Sequence, residues 1–143
     1  MKKGTRILLA GLAVLALAGL FRQRQVPETP HMIEVTEATF AMEVEQSDQW
    51  VLADFWAPWC GPCRAMLPDL DALAQEFSGR VKFVKINVDE NPLLRDRFRV
   101  GGIPQLYLFR EGRAVSGLNG RVSRDELRTW LEGRLALLEG DAA

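Results

Sequence analysis

The sequence predicts an α/β domain, with a mixed central sheet of four to five strands flanked by helices on both faces. Three observations predict it. Trp50–Trp56 (WVLADFW) and Val81–Val88 (VKFVKINV) are near-continuous apolar runs, the pattern of strands covered on both sides. Between them, apolar side chains recur at Cys63, Met66, Leu67, Leu70, Leu73, Ala74 and Phe77, a helical stripe. Strand, helix and strand in that order make a parallel, right-handed crossover.

At the front of the chain, Lys2, Lys3 and Arg6 precede fifteen uncharged residues, Ile7–Phe21, and Arg22 and Arg24 follow. A basic segment ahead of an apolar one is the pattern of an export signal. Ala16-Leu17-Ala18 offers a small-residue cleavage site after Ala18. As a helix the run reaches about 22 Å at about 1.5 Å per residue, short of a hydrocarbon core of roughly 30 Å. Flanking lysines and arginines can snorkel to make up the difference. Residues 1–24 are therefore expected to be a signal peptide or a membrane anchor, with cleavage and retention both open. The domain is expected in an exported, periplasmic or extracytoplasmic compartment, held at the inner membrane through residues 7–21 if the segment is retained. No cysteine follows the run, which argues against a lipid-modified N-terminus. A buried or amphipathic helix of a cytosolic protein fits poorly, because Ile7–Phe21 has no polar face. Met32 is an alternative start that would give a cytosolic form. Residues 25–32 read as a short extended linker, and the folded domain is expected over 33–140.

Within that domain, the stripe of residues 60–77 contains Pro68, which should kink the helix. Asn91-Pro92 opens a short helix, Asn91 as its cap and Pro92 in its first turn. Gln105–Phe109 and Ala114–Leu118 flank Arg110-Glu111-Gly112-Arg113 and read as a hairpin. Ser123 with Glu126 forms a capping box for the last helix. Its buried face carries Leu127, Leu131, Leu135 and Leu138, and Gly133 weakens it. There is no repeat and no second domain.

Composition bounds the function. The chain has 143 residues, 48% hydrophobic and 26% charged, enough for one domain with a core. That excludes a disordered or low-complexity chain and a multi-span membrane protein. The formal charge of −1 argues against nucleic acid as a partner. Residues 1–24 hold five basic and no acidic side chains, and the remainder holds thirteen basic against nineteen acidic. The two parts are built for different surroundings. One histidine and two cysteines leave almost nothing for a metal site, and none is expected.

The chemistry is concentrated in Trp56-Ala57-Pro58-Trp59-Cys60-Gly61-Pro62-Cys63. The cysteines stand three apart at a strand-to-helix junction, a spacing that lets them close a small disulfide loop across the first helical turn. Cys60 lies at the helix N-terminus, where unpaired N–H groups and the macrodipole favour a thiolate. The thiolate is the attacking species in disulfide exchange. Cys63 lies on the core-facing stripe and suits a resolving thiol. Three blander readings compete. A structural disulfide across so short a loop stabilises little. Half of a zinc site needs more ligands, and His31 is the one other soft donor. Two buried free thiols would leave the Gly-Pro between them unexplained. Asp54 interrupts an apolar strand; buried, it would have its pKa raised by desolvation and exchange protons near neutrality, and otherwise it is an aspartate at a wet strand end. Lys85 is either its partner or a solvent-face lysine like Lys82. Trp56 reads as packing, and Trp50 and Trp130 as core or interface.

C-x-x-C beside a βαβ pattern is a redox signature, and the chain resembles the thioredoxin family over residues 33–138. The matching stretches are Ala53–Cys63, Lys85–Pro92, Gly102-Ile103-Pro104 and Gly120. The resemblance implies the thioredoxin fold and a thiol–disulfide oxidoreductase needing no cofactor beyond the Cys60–Cys63 disulfide. It implies that Cys60 attacks, Cys63 resolves, and Asp54 relays a proton for the inner thiol with Lys85 nearby. It implies a cis bond before Pro104, whose neighbour Ile103 pairs with the substrate backbone. Trp59, Gly61, Pro62 and Gly120 would complete the substrate surface. Gln105 stands where a small hydroxyl residue is usual, which would alter substrate contact.

Gly61-Pro62 resembles the reducing members; oxidising ones usually carry a histidine there, which stabilises the reduced thiolate. The expected activity is reduction of protein disulfides by a monomer outside the cytoplasm. Its electrons would come from a membrane donor, or from thioredoxin reductase for a cytosolic form begun at Met32. A binding or assembly module with incidental cysteines is the non-enzymatic alternative.

Overall fold

All seven residues of Trp50–Trp56 are buried, as an apolar run without alternation requires. The computed structural model describes residues 26–140. Its elements are β1 (Ile33–Glu34), a π-helical turn (Ala41–Glu45), β2 (Trp50–Trp56), α1 (Gly61–Glu76), β3 (Val81–Asn87), α2 (Pro92–Arg97), β4 (Gln105–Arg110), β5 (Arg113–Asn119) and α3 (Arg124–Gly140). The signal or anchor expected of residues 1–24 lies outside the described residues. Among those described, no helix is long and apolar enough to cross a membrane.

The sheet has five strands in the order β1-β3-β2-β4-β5. β1 and β2 run parallel to β3, whereas β4 is antiparallel to both β2 and β5. Alternation along β2 separates two faces. Phe55 points to one, where Phe40, Phe98, Tyr107 and Phe109 join it in an aromatic cluster under α2 and the π-helical turn. Leu52, Asp54 and Trp56 point to the other, which α1 and α3 cover. Phe77 at the end of α1 meets Phe83 of β3 on that side. Arg128 of α3 reaches Glu76 of α1 at 2.7 Å. The buried stripes of both helices, Met66, Leu67, Leu70 and Leu73 with Leu127, Leu131 and Leu135, close the core, and Leu138 is half-buried against it.

Two local expectations are revised, the cap of α2 and the length of the hairpin loop. Asn91 does not cap α2 with its side chain. Its Oδ1 accepts the Glu37 N–H, and Glu37 Oε1 in turn accepts the Leu93 N–H at 2.8 Å. The cap is thus supplied by a residue 56 positions away in sequence, which no local pattern reveals. The hairpin loop is two residues, not four: Glu111 and Gly112 have φ of 49° and 74°, the double positive φ of a type I′ turn that suits the strand twist. Gly112 also abuts the Glu45 carbonyl, where a Cβ would come within 3.1 Å. α1 runs through Pro68 as one helix. The Ser123–Glu126 capping box forms in both directions, at 2.8 and 3.3 Å. Before β1 the chain is already docked: Met32 is buried, and Asp71 of α1 accepts the His31 N–H and meets its Nδ1 at 2.8 Å.

Candidate active site

β2 ends at Trp56, and Ala57-Pro58-Trp59 carry the chain to α1. Cys60 occupies the N-cap position with extended backbone (φ −79°, ψ 106°), and its Sγ accepts the Cys63 N–H at 3.2 Å. A serine or aspartate oxygen commonly fills that role. Here sulfur fills it, so negative charge on Cys60 meets a backbone donor and the positive end of the helix. Pro62 sits in the first turn, where an N–H would have no intrahelical acceptor.

Cys60 and Cys63 are joined by a disulfide, their Cα atoms 5.3 Å apart. Cys60 is 5% exposed and Cys63 0%. Of the two sulfur-bearing residues, Cys63 is fully shielded and Cys60 is the one with surface exposed. Gly61 and Pro62 lie exposed beside it. The structure does not bring His31 to the cysteines: they pair with each other, and His31 meets Asp71.

Asp54 is buried in β2, and neither carboxyl oxygen has a hydrogen-bond partner among the described residues. Burial pushes its pKa up to about 7, with Lys85 pulling the other way. Lys85 pairs with Asp54 in register across the β2–β3 ladder. Its side chain is 13% exposed, not a solvent-face lysine, and its Nζ lies 5.2 Å from the Trp56 ring centroid and 3.5 Å from Glu34 Oε2. Trp56 is itself buried and packs as expected. Trp50 is buried with its Nε1 donating to Glu139, and Trp130 is half-buried.

The Ile103–Pro104 peptide is cis. Pro104 is buried, and its carbonyl accepts the Gly120 N–H at 2.9 Å. Gly120 has φ of 79°, which favours glycine at that point. Ile103 and Trp59 line one groove of about 470 Å³ together with Asp89, Arg95, Val100 and Gly102; Gly120 is not among its lining residues. Trp59 is 69% exposed, its Nε1 donating to Asp89 Oδ2 at 2.7 Å. The Gln105 side chain is buried and donates to the Leu106 and Leu118 carbonyls. Two residues near the site escaped sequence reasoning. Asp89 was visible only as part of a matched stretch, and Glu34 lies in a strand too short to show a period.

A Cys-x-x-Cys disulfide at a helix start, with one cysteine fully shielded and a carboxyl buried in the adjacent strand, is the site of a thiol–disulfide oxidoreductase. The sequence model of the family described as Thioredoxin matches residues 31–133. Thioredoxin 1 of Nostoc sp. is 45% identical over 102 residues, covering 71% of this chain and 95% of that protein. Thioredoxin 1 of Synechococcus elongatus is 46% identical over 101 residues (71% and 94%), and thioredoxin of Pseudomonas aeruginosa 38% over 105 residues (73% and 97%). The chain belongs to the thioredoxin family.

Proposed function

We propose that this protein reduces disulfides of protein substrates outside the cytoplasm. The observation that carries the reading is the N-cap geometry of Cys60 over a fully shielded Cys63. In the dithiol form, the Cys60 thiolate attacks one sulfur of a substrate disulfide. A mixed disulfide forms and the other substrate sulfur leaves as a thiolate, which takes up a proton. Asp54 accepts the Cys63 proton, and the resulting thiolate attacks Cys60 Sγ. The second substrate sulfur leaves as a thiolate and takes up the proton held by Asp54, and the Cys60–Cys63 disulfide seen here forms. Two electrons pass from the dithiol to the substrate. Ile103 offers backbone to the substrate strand, since the Pro104 carbonyl is taken by Gly120. Trp59, Gly61 and Pro62 form the surface around the sulfur.

The reducing direction rests on Gly61-Pro62, which places no cation between the cysteines. The compartment rests on residues 1–24, which lie outside the family match beginning at residue 31. Recycling there requires a membrane electron donor; a form begun at Met32 would instead draw on thioredoxin reductase. Expression of Cys63→Ser in the native compartment is expected to trap substrate on Cys60, and Cys60→Ser to trap none. A potential near about −270 mV fits a reductant, and one near about −120 mV would refute that direction. Recovery of a cytosolic chain beginning at Met32 would refute export.

A further inference from the structure

Lys85 has two carboxylate neighbours, and only one of them belongs to the chemistry described above. We propose that Glu34 is a positioning residue for the disulfide exchange: its carboxylate competes with Asp54 for the Lys85 ammonium and so governs how readily Asp54 takes a proton. This inference rests on the proposed role of Asp54. The geometry supports it directly. β3 lies between β1 and β2, and Lys85 is in register with Glu34 on one side and Asp54 on the other. Its Nζ stands 3.5 Å from Glu34 Oε2, yet Asp54 has no hydrogen bond from it. The Trp56 ring supports the ammonium 5.2 Å away. Glu34 is half exposed, with a side-chain accessibility of 51%, against 13% for Lys85. The lysine is therefore drawn toward the water-facing side of a cleft lined by Glu28, Thr29, Pro30, Met32, Glu34 and Lys85.

Besides Asp54 on β2 and Glu34 on β1, the chain leading to β1 brings Glu28 to the same cleft, whereas His31 is bound to Asp71 of α1. α1 also brings the Cys60–Cys63 disulfide, which does not titrate when oxidised. β4 places uncharged Leu106 opposite Asp54. Removing the Glu34 charge should free Lys85 to turn toward Asp54 and favour its ionised form.

The test is a carbon-detected NMR titration of the Asp54 carboxyl in the oxidised full chain. Reading the oxidised protein without substrate keeps this result separate from whether Cys63→Ser captures a partner. Glu34→Gln is expected to lower the midpoint by about half a pH unit or more. In a Lys85→Met background, or Lys85→Gln if that variant does not fold, the same substitution is expected to produce less than half of that shift. Glu34→Asp should restore part of the original midpoint. No shift on Glu34→Gln overturns the proposal. A shift that persists at half or more without Lys85 also overturns it, because Glu34 would then act on Asp54 directly.

Discussion

Asp54 is the residue at which folding and the proposed chemistry conflict. A carboxyl inside a sheet with no hydrogen-bond partner costs stability whenever it is charged. Its folded pKa of about 7 stands above the ordinary value of 3.8. Below about pH 4 the folded and unfolded chains both hold the proton. Between about 4 and 7 the unfolded chain releases it while the folded chain keeps it, so stability falls as pH rises. Above that window the loss is complete, on the order of 4 kcal/mol. Asp54→Asn, which cannot ionise, should gain on the order of 2 kcal/mol at pH 8, less than the full amount because a buried amide is also left unpaired. The gain should vanish at pH 4, and denaturant unfolding at the two pH values checks it. A pH-independent difference would contradict the assignment. Asp54 was legible in the sequence because one carboxylate broke an apolar run. Glu34 was not, because its importance comes from strand order.

At the scale of elements, long periodic segments were legible and short ones were not. Trp50–Trp56, the stripe beneath Cys60 and the last helix follow from hydrophobic spacing alone. β1 and the π-helical turn have two and five residues, too few for any period to emerge. The α2 cap shows the same limit. Asn91-Pro92 marked the helix start correctly, but the oxygen that receives the Leu93 N–H comes from Glu37, across the fold. The carboxylate also complements the positive end of that helix. Glu37→Ala should therefore cost about 1 kcal/mol in thermal or denaturant unfolding, in the usual range for a lost cap. A neutral result would mean that solvent replaces the cap without loss.

At the scale of the molecule, strand order explains where the site sits. β2 is parallel to β3 and antiparallel to β4, so the chain reverses its sense beside β2. The carboxyl end of β2 feeds directly into the start of α1. The Pro104 loop enters β4 at that same end, where Phe55 pairs with Gln105. Crevices at the carboxyl ends of strands, where strand order changes, are where open α/β sheets place their ligands. The sequence revealed both cysteines and their helix, and resemblance pointed to Pro104 and Gly120 one by one, but the hydrogen bond that ties them depends on the assembled sheet and was not legible. The proposed function requires one thing of this arrangement, an ionised Cys60 at neutral pH in the reduced protein. Alkylation of each thiol in the reduced protein, followed against pH, measures this directly. Cys60 should react with a midpoint at least about one unit below the 8.5 of free cysteine, and Cys63 should lag behind it. Equal reactivity of the two thiols, at the rate of free cysteine, would contradict the account.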